Sequence, residues 1–189
     1  MRRFSYTACM KKAFDPHRLD VRRFAEDGAS LSGEDQVGAF ARLAAETEGR
    51  GLDLPVRWSA QGDMRDVGRR SSAWVHLEGE ASLPLICQRC LAPVDIKVGV
   101  DRWFRFVSDE ETAAAEDDES EEDVLVESRS FDLVELLEDE LLMDLPVAPR
   151  HVICPVLPQF TSGEEEFQAA QAQRENPFQV LAKLKPGKS

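Results

Sequence analysis

Four residues at matched spacing carry the clearest chemistry in this chain. Cys87-Gln88-Arg89-Cys90 places two thiols three positions apart, and in a tight turn such a pair can converge on one tetrahedral metal ion. His151-Val152-Ile153-Cys154 repeats the spacing with a nitrogen and a sulfur, a pair suited to zinc. Cys87, Cys90, His151 and Cys154 are therefore the candidate metal ligands, and zinc is the candidate cofactor. Two other readings stay open. Cys87 and Cys90 can instead be small apolar residues packing the end of a hairpin, or a redox pair. The redox reading has the least physical support, because a thioredoxin-like pair opens a helix whose N-terminus lowers the thiolate pKa. Here strand-like sequence follows the second cysteine, and Arg89 is the single cation between the two thiols.

Other catalytic arrangements find little support. Of the three histidines, His17 lies in a basic lead-in, His76 on the polar side of a strand and His151 among prolines. No glycine-rich phosphate loop, nucleophile elbow or two-histidine metalloprotease helix is present. An enzyme is not expected, nor is a small-molecule substrate. Trp103, with Arg102 and Arg105 beside it, is a candidate platform for stacking on RNA. The alternative is that it covers the sheet or packs under a helix. Arg2, Arg3, Arg22 and Arg23 near the start and Lys183 and Lys185 near the end are candidate phosphate or partner contacts that read no base sequence.

The charge layout bears on those partners. The 189 residues are 42% hydrophobic and 31% charged, with a net charge of −13, which at face value disfavours a nucleic-acid partner. The acids are not evenly spread. Residues 108–127 hold eleven acids and no base, and residues 131–144 hold six acids and no base. Without those two segments 23 bases face 19 acids. A mildly basic body thus carries a segregated acidic strip, so one face can meet phosphate while another meets a basic protein. No apolar run approaches the ~18–20 residues of a membrane-spanning helix. Arg2-Arg3 has no apolar stretch behind it, so a secretory signal is not expected. Four cysteines in such a chain argue against a disulfide scaffold. A cytoplasmic location is expected, with no membrane partner.

The elements that must position these groups follow from periodicity. Residues 1–30 read as an extended basic lead-in. Ser32-Gly33-Glu34-Asp35 starts a predicted helix with Val37, Phe40, Leu43 and Ala44 at helical spacing. Three strand-like runs come next: Val56, Trp58 and Ala60; then Ala73 through Leu85; then Val94 through Phe106. Strict alternation predicts antiparallel strands with one buried face. Only Cys87–Pro93 joins the two long runs, which predicts a hairpin. Residues 108–123 read as a flexible acidic insert with little to bury against its ordering entropy. Val124-Leu125-Val126 suits a short strand. A helix is predicted over 131–143, with Ser130 as its N-cap, Pro146 beyond its end and Glu135, Glu138 and Asp139 on its outward face. Asn176-Pro177 is a helix start before Phe178, Leu181 and Leu184. The expected fold class is α+β: an antiparallel sheet with a long central hairpin, packed by a few helices, with a helical C-terminal tail. The expected domains are a single α+β domain over 1–160, then a linker and amphipathic helix over 161–189.

Several of these segments together resemble one family. They are Leu19-Asp20-Val21-Arg22-Arg23, the Cys-Gln-Arg-Cys-Leu hairpin tip (87–91), Phe131 to Leu141 with Leu145-Pro146, and Asn176-Pro177-Phe178 to Lys185. In this order they are similar to the YceD family, the large ribosomal RNA subunit accumulation proteins. The resemblance implies a non-enzymatic ribosome biogenesis factor of the cytoplasm. It implies partners among large-subunit ribosomal RNA and ribosomal proteins. A zinc-stabilised protein-interaction module without an RNA role is the alternative. Family members often carry a second cysteine cluster of the form Cys-Pro-x-Cys-Gly. This chain has Cys154-Pro155, but Leu157 stands where the next cysteine would be, which leaves His151 as the fourth ligand.

Overall fold

The computed structural model describes residues 14–67, 70–117, 120 and 122–155. Contacts separate the chain into units 1–153 and 154–189, and the fold below is that of the first. The expected linker and C-terminal helix over 161–189 lie outside the described residues.

A five-stranded sheet forms the body, ordered β1 (Ser30–Gln36), β2 (Pro55–Val67), β3 (Arg70–Ile86), β4 (Pro93–Val107) and β5 (Asp123–Val126). The α+β expectation holds, with the long hairpin at the centre. β3 and β4 pair antiparallel from Ala73 opposite Phe106 to Ile86 opposite Pro93. The alternation seen in the sequence is the burial pattern of the structure. Val75, Leu77, Leu83, Val98, Val100, Phe104 and Phe106 point to one face and are buried there, because successive side chains of a strand leave opposite faces. Three helices cover that face: α1 (Val21–Glu26), α2 (Ala41–Glu46) and α4 (Leu133–Met143). Leu133, Leu137 and Leu141 of α4 are at most 1% exposed. Gly79 makes room for them, since a Cβ there would lie 2.5 Å from Leu137 Cδ1.

Several local expectations are corrected. The basic lead-in is not extended throughout: α1 lies within it, capped by Asp20, whose side chain accepts the Arg23 amide. The helix expected from Ser32 divides into β1, a single 3-10 turn (Val37–Ala39) and the short α2. The apolar spacing of Val37, Phe40 and Leu43 is real, and all three are buried. Ser32–Asp35, however, pairs with β2, and the indole of Trp58 lies over Gly33 and donates to Asp35 at 2.8 Å. A side chain on Gly33 would collide with that ring, 2.6 Å away.

The acidic insert is not simply a loop, because Glu110–Asp117 forms helix α3. Asp109 accepts the Thr112 amide at its start. Glu110 and Glu111 suit the positive helix end, and Ala113–Ala115 supply high helix propensity. This helix carries the chain across to β5, which therefore pairs with β4 in parallel, so the sheet is mixed and not wholly antiparallel. The N-cap of α4 is Asp132, not Ser130. Its carboxylate accepts the Val134 and Glu135 amides at 3.0 and 2.9 Å.

Glu138, expected on an outward face, is 9% exposed. It accepts the amides of Arg42 and Leu43 at 2.7 and 3.2 Å. Phe40, the N-cap of α2, has no side-chain oxygen, so a carboxylate from α4 satisfies amides that the short helix leaves without intrahelical partners.

Candidate metal centre

The hairpin tip is a tight loop in which the Cys87 amide donates to Ala92 O at 3.0 Å and the Leu91 amide donates back to Cys87 O at 2.9 Å. Leu91 closes it in the left-handed conformation, φ 60°. The segment after α4 is drawn to this tip. The Gln88 amide donates to Pro149 O at 2.8 Å, which brings His151 alongside, with Nδ1 3.4 Å from Cys90 Sγ. Cys154 follows three residues on in the chain and is buried. One donor atom from each of Cys87, Cys90, His151 and Cys154 lies within 4.8 Å of the others.

The chemistry of this donor set fits zinc. Three sulfurs and one imidazole make a closed tetrahedral set of the structural type. None of the three thiols forms a disulfide. Burial raises the pKa of the Cys87 thiol, but backbone N–H groups of His151, Cys90 and Arg89 and the His151 side chain outweigh it. The result is a pKa lowered from 9.0 to about 5. A thiol held as thiolate near neutrality is the form a metal binds. Cys87, Cys90, His151 and Cys154 are thus the residues that would hold the ion. Its contribution would be structural, joining the hairpin tip to the segment after α4.

The candidate RNA contacts fall elsewhere. Arg2, Arg3, Lys183 and Lys185 lie outside the described residues. Arg22 is bonded to Glu127 at 3.3 Å and Glu26 at 3.1 Å, and Glu127 in particular raises its pKa. Arg23 pairs with Asp27 at 3.8 Å. Arg102 lies on the helix-covered face of the sheet, between Asp123 at 2.6 Å and Glu140 at 3.1 Å. Arg105 is 6% exposed and meets Glu116 of α3 at 2.9 Å. A cavity of about 330 Å³ lies between Arg22 and Arg105, but Glu127 and Glu116 line it too. Trp103 is half-buried. The His76 ring stacks on it at 4.6 Å and 16°, and the Arg65 guanidinium sits 3.7 Å from its centroid. These groups are drawn into intramolecular pairs.

Two cations outside the candidate RNA contacts lie at this centre. Arg89, in the hairpin tip, and Arg150, beside His151, are both exposed, and neither forms an ion pair among the described residues. Around them Leu91 is 74%, Val152 96% and Ile153 85% exposed. The available signal was that each arginine lies within two residues of a candidate ligand, so a metal that fixes the ligands also fixes them.

The YceD family model, described as large ribosomal RNA subunit accumulation protein, matches residues 75–185. The chain belongs to the YceD family. The match begins in β3 and takes in the hairpin tip, β4, β5, α4 and all four candidate ligands. The family's description connects it with accumulation of large-subunit ribosomal RNA. No solved structure matches the chain. Among the described residues no helix is long and apolar enough to cross a membrane.

Proposed function

We propose that this YceD-family protein is a cytoplasmic, non-catalytic assembly factor for the large ribosomal subunit. In this reading its metal-fixed knuckle docks on precursor ribosomal RNA. The family match over 75–185 carries the proposal. The geometry supports where contact occurs. Arg22, Arg23, Arg102 and Arg105 are each engaged by carboxylates, so a phosphate approaching them has to displace an acid. Arg89 and Arg150 have no such competitor among the described residues. Zinc bound by Cys87, Cys90, His151 and Cys154 would hold both beside the hairpin tip. The acidic segments along α3 and α4 keep phosphate from other faces and suit a basic ribosomal protein.

A protein-interaction module without an RNA role is the second reading. The exposed Leu91, Val152 and Ile153 favour it, because exposed aliphatic side chains grouped together mark protein contacts more than phosphate contacts. Co-sedimentation of the purified protein with precursor large subunits separates the two. RNA docking predicts retention that falls steeply as salt rises and drops in R89E/R150E. Retention insensitive to salt and to that double variant supports the second reading. Absence from every ribosomal particle at low salt overturns the assembly role.

A further inference from the structure

Besides the thiolate cluster, the described residues hold one more group of three donors within 4.8 Å: His76, Glu78 and Asp101. It lies on the opposite face of the sheet from α1, α2 and α4. Spacing and register build it. His76 and Glu78 are two apart on β3 and so share a face, while β4 places Asp101 directly opposite Glu78 and Trp103 directly opposite His76.

Three features of this group point to a cation. Glu78 and Asp101 are like charges at directly opposed positions, an arrangement that destabilises a sheet. No lysine or arginine among the described residues forms an ion pair with either. Arg57, the nearest candidate along β2, is engaged by Glu34 at 2.8 Å and Glu80 at 3.8 Å. The third feature is orientation. His76 is held flat against Trp103 at 4.6 Å, with Nε2 2.8 Å from Asp101 Oδ1, and Glu78 accepts from Ser59 at 3.0 Å. An imidazole set by stacking and two carboxylates set by register form a prepared donor set.

We propose that His76, Glu78 and Asp101 bind a first-row divalent cation, a site separate from the thiolate cluster. One imidazole and two carboxylates suit nickel, cobalt, zinc or manganese and have none of the sulfur that marks the other site. Three protein donors leave coordination positions for water on a solvent-exposed sheet face. Binding there removes the Glu78–Asp101 repulsion and joins β3 to β4.

Trp103 reports on the site. The full chain, loaded first with one equivalent of zinc to fill the cysteine site, is titrated with nickel and followed by calorimetry and tryptophan fluorescence. The expected result is a further equivalent of nickel bound, with fluorescence quenched and thermal stability raised. D101N and H76Q should each weaken this equivalent by about tenfold or more, since even outer-shell losses cost that much. W103F should retain the nickel and lose most of the quenching. D101N removes a repulsion, so its metal-free melting temperature should equal or exceed wild type, which separates loss of a ligand from loss of the fold. A wild-type protein that takes up no nickel beyond the zinc equivalent overturns the proposal. So does a D101N variant that binds the second equivalent as tightly as wild type.

Discussion

The carboxylate of Glu138 on α4 accepts the backbone amide of Arg42 at 2.7 Å, and through it α4 caps the N-terminus of α2. The same side chain takes the Leu43 amide and the Arg42 guanidinium, while Arg42 also bonds Asp139. A six-residue helix is too short to hold itself in water, so α2 depends on packing and on this cap. E138A leaves the part-buried Arg42 amide and the buried Leu43 amide without this acceptor and should cost about 2 kcal/mol, or roughly 6 °C in melting temperature. E138Q keeps one carbonyl oxygen in place and should lose less. Thermal melts of the two variants test this, and equal losses would mean that the cap is not the source.

Metal removal should act locally before it acts globally. The sheet and its helices have their own apolar core, whereas the hairpin tip and the segment after α4 meet through Gln88 N–Pro149 O and the four candidate ligands. Purified protein should carry about one equivalent of zinc, the capacity of one closed four-ligand site. Chelation should speed hydrogen exchange at the Gln88 and Leu91 amides, leaving Val75 and Phe104 in the centre of the hairpin protected. C87S and H151A should each lose zinc while keeping the strand signal in circular dichroism. Protein with all cysteines titratable and no zinc, yet with unchanged tip exchange, counts against a structural metal.

How far the sequence foretells this structure depends on how local the determining physics is. The β3–β4 hairpin is legible because period-two alternation runs unbroken from Ala73 to Leu85 and resumes at Val94, and each strand states its own buried face. The cysteine site is legible because three-residue spacing within a turn is a local property. The role of Glu138 is not. On α4 it reads as one acid among several, and its burial follows from where α2 lands, a contact 96 residues away in sequence. Arg105 reads as a phosphate contact for the same reason: nothing in its neighbourhood says that Glu116 of α3 folds over it. The acid-rich stretch 108–123 hides a helix because composition averages over the three alanines that build it. The juxtaposition of Asp101 with His76 and Glu78 depends on strand register, which the pattern of one strand alone does not specify.

The Cys87 thiol gives the metal-free protein a pH signature. Its pKa is about 5 in the folded chain against 9.0 for an unperturbed thiol. Between pH 5 and pH 9 the unfolded chain holds a proton that the folded chain has released, so stability rises with pH across that window. The contribution is complete above pH 9 and disappears as pH falls through 5. Denaturant midpoints of metal-free wild type should therefore climb over this range more steeply than those of C87S. Thiolate ultraviolet absorbance should show an ionisation near pH 5 in wild type that C87S lacks. Parallel midpoint curves for wild type and C87S would mean that the backbone amides do not hold the thiolate.

The contact between Gly79 and Leu137 provides a test of how α4 is seated on the sheet. A Cβ at Gly79 would stand 2.5 Å from Leu137 Cδ1 and 3.1 Å from Val100 Cγ1, and both neighbours are buried. G79V therefore forces α4 outward or Leu137 off its rotamer, at about 1–3 kcal/mol. L137A alone opens a cavity under the helix and should cost about 2–5 kcal/mol. The two changes meet at one point in space, so they should not add. In the double variant the valine methyls enter the space that Leu137 vacated, and the total should be smaller than the sum of the single losses by roughly 1 kcal/mol or more. Urea midpoints of the four proteins in this cycle measure the coupling, and strict additivity would show that α4 does not rest on Gly79. A shift of α4 also moves Glu138, so G79V should weaken the cap on α2 in the same protein, visible as faster exchange of the Arg42 and Leu43 amides.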